Sequence, residues 1–236
     1  MTDREPPVDF DTRPPMPVPE YEETVARVNV GYDLVFTLTY AFLRALRRPD
    51  LDLLVVGVGG GAEIVRFLPD NPRWRLTGVD PSQEMLALAE AKAEHLGVRE
   101  RVTLVLGTVE DLPPQARFDA ATCLFVLHFL PDDDKLALLR GIAVRVRWEA
   151  PLLVVSGARL DDDGLRGELL GAWQQYGELL GMPSEQMAAT LESLMARKPD
   201  PTTAEGYQHL LREAGFTRVA PYFGVLGGVI SGWVAR

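Results

Sequence analysis

The stretch LLVVGVGGGAEIVRF, residues 53–67, decides the fold. Leu53, Leu54, Val55 and Val56 form a short apolar run of the kind found in a parallel strand buried on both faces. Gly57, Gly59, Gly60 and Gly61 carry no Cβ and can take positive φ. Ala62 to Leu68 then reads as a helix whose apolar face is Ile64, Val65 and Leu68. A strand that runs through a glycine turn into a helix N-terminus is a device for holding anions and nucleotides. A tight βα turn with no ligand fits the same residues, so the flanking sequence must decide.

From residue 51 onward the pattern alternates. Strands are predicted at 51–57, 74–79, 101–106, 118–125 and 151–157, with helices at about 61–69, 82–96 and 132–146 between them. This βαβα alternation implies an α/β fold, with a mostly parallel sheet covered by helices on both faces. Residues 164–198 depart from it: they are helical, rich in Met and aromatic side chains, and hold no strand. A last helix at 204–214 ends at Gly215. Two strands follow, joined through Gly227-Gly228 as a hairpin, so the last strand of a seven-stranded Rossmann-like sheet should run antiparallel. Before the sheet, residues 21–48 read as helix, broken at Gly31. Residues 1–20 hold six prolines, which forbid helix and favour an extended arm. The expected organisation is a Pro-rich arm (1–20), a helical cap (21–50) and a main domain (51–236) with a helical insertion at about 160–200.

Composition narrows the function. The formal net charge is −10 over 236 residues, which disfavours nucleic acid as a partner. Two basic stretches, Arg44–Arg48 and Arg145–Trp148, are expected on solvated helix ends. A single cysteine, Cys123, gives no internal disulfide, and three scattered histidines give no metal site. No run is long enough to span a membrane, and the N-terminus does not read as a signal peptide. A cytoplasmic location is the expectation.

Asp80 ends the second strand about twenty residues past the glycine turn, where a carboxylate can accept both hydroxyls of an adenosine ribose. Ser82 can cap the following helix by itself, which would leave Asp80 spare for a ligand. The glycine turn, Asp80, the segment LGTVEDLP after strand three and LFVLHFL after strand four come in the order and spacing of class I S-adenosylmethionine-dependent methyltransferases. The resemblance covers about residues 51–236, and its order is more specific than any one motif. It implies S-adenosylmethionine as cofactor, with S-adenosylhomocysteine as product. It places Gly57, Val58, Gly59 and Gly61 beneath the methionine part, Asp80, Pro81 and Met85 at the ribose side, Thr108, Val109 and Glu110 around adenine, and Leu124 and Phe125 by the reacting methyl. In that family an acidic residue two before the first glycine helps fix the cofactor's ammonium through water. Here that position is Val55.

A narrower resemblance is to the carboxy-S-adenosylmethionine synthases, carried by NVGYDLVFTLTYAFL, LFVLHFL and the segment before the last strands. Tyr32 matches a tyrosine near the cofactor. However, that family's arginine for the extra carboxylate falls at Leu210, and its asparagine after strand four falls at Leu124. Leucine cannot pair with a carboxylate, and an unpaired buried charge is costly. The resemblance therefore concerns the shell rather than that reaction.

His128, just past strand four, is the candidate general base. A histidine hydrogen-bonded in the cofactor shell is the alternative, since a sulfonium methyl needs little more than alignment. Trp173 and Tyr176 are candidates for an acceptor pocket, against simple packing of the insertion. Cys123 reads as a small buried hydrophobe. The expected partner is a small-molecule acceptor, with a homodimer as the assembly to test and no membrane. The other readings are a carboxy-S-adenosylmethionine synthase-like tRNA-modification enzyme, a nicotinamide dehydrogenase, which lacks a Tyr-Lys or His-Asp pair, and a non-catalytic cofactor-binding protein.

Overall fold

The computed structural model describes residues 11–12, 24–160, 162–195 and 202–236. All but residues 11–12 of the Pro-rich arm lie outside them. Seven strands form one sheet: β1 (Leu51–Val56), β2 (Trp74–Asp80), β3 (Val102–Leu106), β4 (Ala120–Leu124), β5 (Leu152–Gly157), β6 (Val219–Val225) and β7 (Ile230–Ala235). Their order is β3-β2-β1-β4-β5-β7-β6. Five are joined by parallel ladders. β7 runs against both β5 and β6, so it alone is reversed. The order turns at β1, so the glycine turn and the end of β4 meet at the carboxyl edge of the sheet, where open α/β sheets hold ligands.

The helices are α1 (Tyr32–Ala45), α2 (Ala62–Phe67), α3 (Gln83–His95), α4 (Asp132–Ala143), α5 (Asp163–Leu179), α6 (Ser184–Met195) and α7 (Ala204–Glu213). A short helical stretch at 24–28 precedes α1. Gly31 separates the two, at φ 77°, a backbone conformation that costs an L-residue with a side chain about 1–2 kcal/mol. Alternation along each strand sorts the side chains to two faces. Leu51, Leu53 and Val55 pack with α1, α2, α3 and the insertion helices, through residues such as Val35, Ile64, Ala89, Trp173 and Met187. Leu54 and Val56 pack on the other face with Leu139 and Ile142 of α4 and Tyr207 and Leu211 of α7.

Four expectations are corrected. Val65 is 37% exposed; the inward face of α2 carries Glu63, Ile64 and Phe67 instead. Gly60 does not take positive φ, whereas Gly57, Gly59 and Gly61 do. The β6–β7 link is a short 3₁₀ turn, Leu226–Gly228, wider than a two-residue hairpin. Arg145 is buried, not solvated. Its guanidinium donates to the carbonyls of Gly141, Glu110 and Leu112, which fastens the chain after β3 onto α4. Cys123 is buried, and burial pushes its thiol well above the usual range.

Candidate active site at the carboxyl edge

The glycine turn begins as β1 ends. The N–H groups of Gly57 and Val58 both donate to Val79 O, at 2.9 and 3.1 Å, which holds the turn against β2. Val58 turns its side chain down onto Gly78, where a Cβ would lie only 2.8 Å from it. Gly59 is left on top, at φ 49°, and a Cβ built there meets nothing within 4 Å. Gly61, at φ 84°, precedes α2 and sits against Ala89 of α3.

Asp80 stands at the end of β2 and is 7% exposed. It is not spare: Oδ2 accepts the Gly59 N–H at 2.8 Å and Oδ1 accepts the Ser82 N–H at 3.0 Å. Each oxygen keeps further acceptor capacity, so the two bonds aim the carboxylate without using it up. Burial raises the Asp80 pKa, the two N–H bonds pull it back, and Asp11 adds repulsion. Ser82 caps α3 as expected, with Oγ accepting the Met85 N–H at 3.1 Å. The unexpected neighbour is Asp11, whose carboxylate accepts from Ser82 Oγ at 2.6 Å and from the N–H of Gln83 at 3.0 Å and Glu84 at 3.2 Å. A carboxylate is favoured at a helix N-terminus, and this one ties residue 11 beside Asp80. Pro81 is exposed and Met85 is buried.

After β3, Thr108 caps the turn Val109–Asp111. Asp111 Oδ2 accepts the Thr108 N–H at 2.8 Å, and Thr108 Oγ1 donates to Glu110 at 2.8 Å. Thr108 and Glu110 stay exposed; the Val109 side chain is fully buried on the face of α4, leaving only its backbone for a ligand.

β4 ends in Leu124, which is buried, and Phe125, which holds φ 61°. Left-handed backbone in an aromatic residue is strained by about 1–3 kcal/mol and concentrates at functional sites. Here it sets the Phe125 ring on Tyr32, stacked at 5.4 Å. Tyr32 in turn meets Phe36 edge-on at 5.0 Å, and Arg66 lies over Phe36 at 4.6 Å. The start of α1, the exit of β4 and α2 thus converge.

His128 follows on the Leu127–Phe129 turn. Tyr207 O–H donates to Gly157 O at 3.1 Å, and Ser156 O–H donates to Tyr207 O at 3.0 Å. With its proton so used, Ser156 Oγ can accept from His128 Nδ1–H, 3.2 Å away. The Gly157 N–H also points at Nδ1, at 3.3 Å; a ring nitrogen cannot donate and accept at once, and the directed hydroxyl chain favours donation.

Trp173 is buried, and its Nε1–H donates to Val28 O at 2.6 Å. It joins α5 to the 24–28 stretch, whereas Tyr176 is only half-buried. Among the described residues, no group of three or more His, Cys, Asp or Glu side chains could hold a metal, and no helix is long and apolar enough to cross a membrane.

One charged residue of this edge had no place in the sequence reading. Glu63, in the first turn of α2, is 4% exposed, and its Oε1 lies 3.4 Å from Thr122 Oγ1. An acid at a helix start is ordinarily explained by the helix dipole. Only its phase, one residue before Ile64 on a helix that packs inward, could have hinted at burial.

The fit of a nucleoside cofactor rests on these features: an open cradle over Gly59, a buried carboxylate bonded to that cradle, and an aromatic stack at the strand exit. Fold and site together define a class I S-adenosylmethionine-dependent methyltransferase. Residues 53–147 match a family model described as a methyltransferase domain. The chain is 29% identical, over 79% of its length and 73% of the relative's, to the ubiquinone/menaquinone biosynthesis C-methyltransferase of Agrobacterium fabrum. It is 28% identical to the carboxy-S-adenosyl-L-methionine synthase of Wolinella succinogenes, over 65% of this chain and 61% of that one. Among solved structures it resembles magnesium protoporphyrin IX methyltransferase of Synechocystis, solved with S-adenosylhomocysteine, at TM-score 0.63 and 16% identity over 98% of this chain and 89% of that one. It also resembles an O-methyltransferase family 2 protein of Planctomyces limnophilus, solved with apigenin, at TM-score 0.54 and 21% identity over 79% and 50% of the two chains. At such identities the structural likeness speaks for the fold.

Proposed function

We propose that this enzyme transfers a methyl group from S-adenosylmethionine to a small-molecule acceptor. The observation that carries the reading is the open cradle at Gly59 tied by its N–H to the Asp80 carboxylate. In this reading Asp80 receives the ribose hydroxyls, Pro81 and Met85 border the nucleoside, and Thr108, the Val109 backbone and Glu110 meet adenine. Gly57, Val58, Gly59 and Gly61 shape the floor, and Tyr32, Leu124 and Phe125 wall the reacting end. When bound, the cofactor supplies an electrophilic sulfonium methyl. The protein's task is then to align the acceptor and to exclude water.

The helical cap from residue 24 to α1 and the insertion α5–α6 close over the main domain that starts at β1, and Trp173 and Tyr176 belong to the acceptor side. The solved neighbours named above carry small aromatic molecules in their titles, which supports an acceptor of that size. His128, with Nδ1–H directed to Ser156, presents Nε2 as the nitrogen to take a proton from an acceptor hydroxyl or amine. A homodimer and a cytoplasmic location belong to the same proposal. The test is turnover of S-adenosylmethionine to S-adenosylhomocysteine with a panel of phenols, amines and activated carbon acids. Activity with one of them is expected, and a slower kcat in His128→Ala at unchanged S-adenosylhomocysteine affinity. Tight binding of S-adenosylhomocysteine with no turnover on any acceptor would instead mark a cofactor-binding protein, and unchanged kcat would remove His128 from the chemistry.

A further inference from the structure

The carboxylate expected two residues before the first glycine is absent, because Val55 stands there. Register shows what occupies the space above it. Val55 is paired with Thr122 on β4, and adjacent paired residues of a sheet point to the same face. That face is the one covered by α1 and α2. Glu63 reaches down from α2 to within 3.4 Å of the Thr122 hydroxyl. Its carboxylate therefore lies over the strand position next to residue 55, on the same side of the sheet. The negative field it sets up extends to Tyr222, whose hydroxyl bonds to Thr39 at 3.0 Å on that face.

We propose that Glu63 supplies from the helix the carboxylate that position 55 does not supply from the strand, and that it receives the ammonium of the cofactor's amino-acid end. The reading rests on S-adenosylmethionine as the cofactor. Two features favour it over a purely structural tie between α2 and β4. Keeping a carboxylate this buried is costly, and an apolar contact would join the two elements at less cost. The carboxylate also stands one turn beyond a glycine cradle with an open top, in the only part of the sheet where strand, turn and helix converge on a ligand.

Glu63→Gln keeps the shape and loses the charge. Titration calorimetry should compare S-adenosylhomocysteine with 5′-methylthioadenosine, which has the nucleoside and sulfur but no amino-acid end. A lost charge-assisted bond predicts roughly tenfold or greater weakening of S-adenosylhomocysteine, with 5′-methylthioadenosine unaffected. Val55→Asp added to Glu63→Ala should restore part of the S-adenosylhomocysteine affinity that Glu63→Ala alone loses. Equal loss for both ligands, or no loss for either, overturns the proposal. Failure of the wild-type protein to bind either ligand would instead sink the cofactor reading on which it rests. Where Glu63→Gln does not fold, Thr122→Val serves: it removes the hydroxyl beside the carboxylate and should weaken S-adenosylhomocysteine selectively. Unchanged binding there overturns the proposal as well.

Discussion

Gly57 and Gly59 both hold left-handed backbone, yet a methyl group added to each meets different surroundings. At Gly57 it would lie 2.3 Å from Val126 Cγ2, and at Gly59 it meets nothing. Gly57→Ala combines backbone strain of about 1–2 kcal/mol with overpacking of about 1–3 kcal/mol; Gly59→Ala bears the strain alone. For a chain this long, each kcal/mol shifts Tm by about 2–4 °C. Thermal melts should therefore show the larger fall for Gly57→Ala. Calorimetry should show S-adenosylhomocysteine binding lost in Gly59→Ala although that protein stays folded; normal binding there would return the turn to a structural role. Asp80 adds a pH signature. Its pKa is raised, chiefly by burial, so its contribution to stability is greatest when protonated and is lost as pH rises through the folded pKa. Ligand binding has the opposite sign, because the anion accepts ribose hydroxyls. S-adenosylhomocysteine affinity should weaken as pH falls through the mildly acidic range above the ordinary carboxylate value, and Asp80→Asn should flatten that dependence. The places of Gly59 and Asp80 were legible because spacing along one βαβ unit sets them. Glu63 was not, since its meaning depends on Thr122, which lies 59 residues away in sequence.

Elements were easier to read than faces. All five central strands and the helices between them stand within a few residues of their predicted bounds, because a strand buried on both faces and an amphipathic helix leave different periods. The phase of a short helix is another matter. α2 has six residues, too few turns for its pattern to separate Val65 from Phe67, and packing on α1 and α3 decided it. Arg145 was misread for a related reason: the carbonyls that bury it belong to Glu110 and Leu112, in a turn on a different segment. The cap and the insertion are held together by a contact of this long-range kind, from Trp173 Nε1 to Val28 O. Trp173→Phe keeps most of the apolar area and removes that donor, at about 1 kcal/mol or more for the carbonyl left behind. It should lower Tm by a few degrees and open α5–α6 to limited proteolysis ahead of global unfolding. Unchanged cleavage kinetics would mean that packing alone seats the insertion.

Over the whole molecule, the two ends of the sheet are chemically different, and this bears on which cofactor is held. The carboxyl edge carries Asp80, Glu63 and Asp11. Arginines gather at the opposite edge, where Phe42, Arg212, Thr217, Arg218 and Arg236 line a groove of about 550 Å³. β6 begins there, since Val219 pairs with Ala235 and Ala235 with Leu152 at the start of β5. A carboxylated cofactor would need a cation at the carboxyl edge. Leu210 stands where the synthase resemblance expects the arginine, and it is buried between α7 and the sheet. Arg212 bonds to Gln208 on the surface of α7, and Arg218 pairs with Glu149 at 3.1 Å. Neither reaches the glycine turn, and Lys198 lies outside the described residues. The protein purified from cells should therefore release S-adenosylmethionine or S-adenosylhomocysteine, identified by mass spectrometry, and should not form carboxy-S-adenosylmethionine when prephenate is added. Recovery of mainly the carboxylated compound would show that the alignment at Leu210 is wrong and that a cation from elsewhere in the chain serves the site.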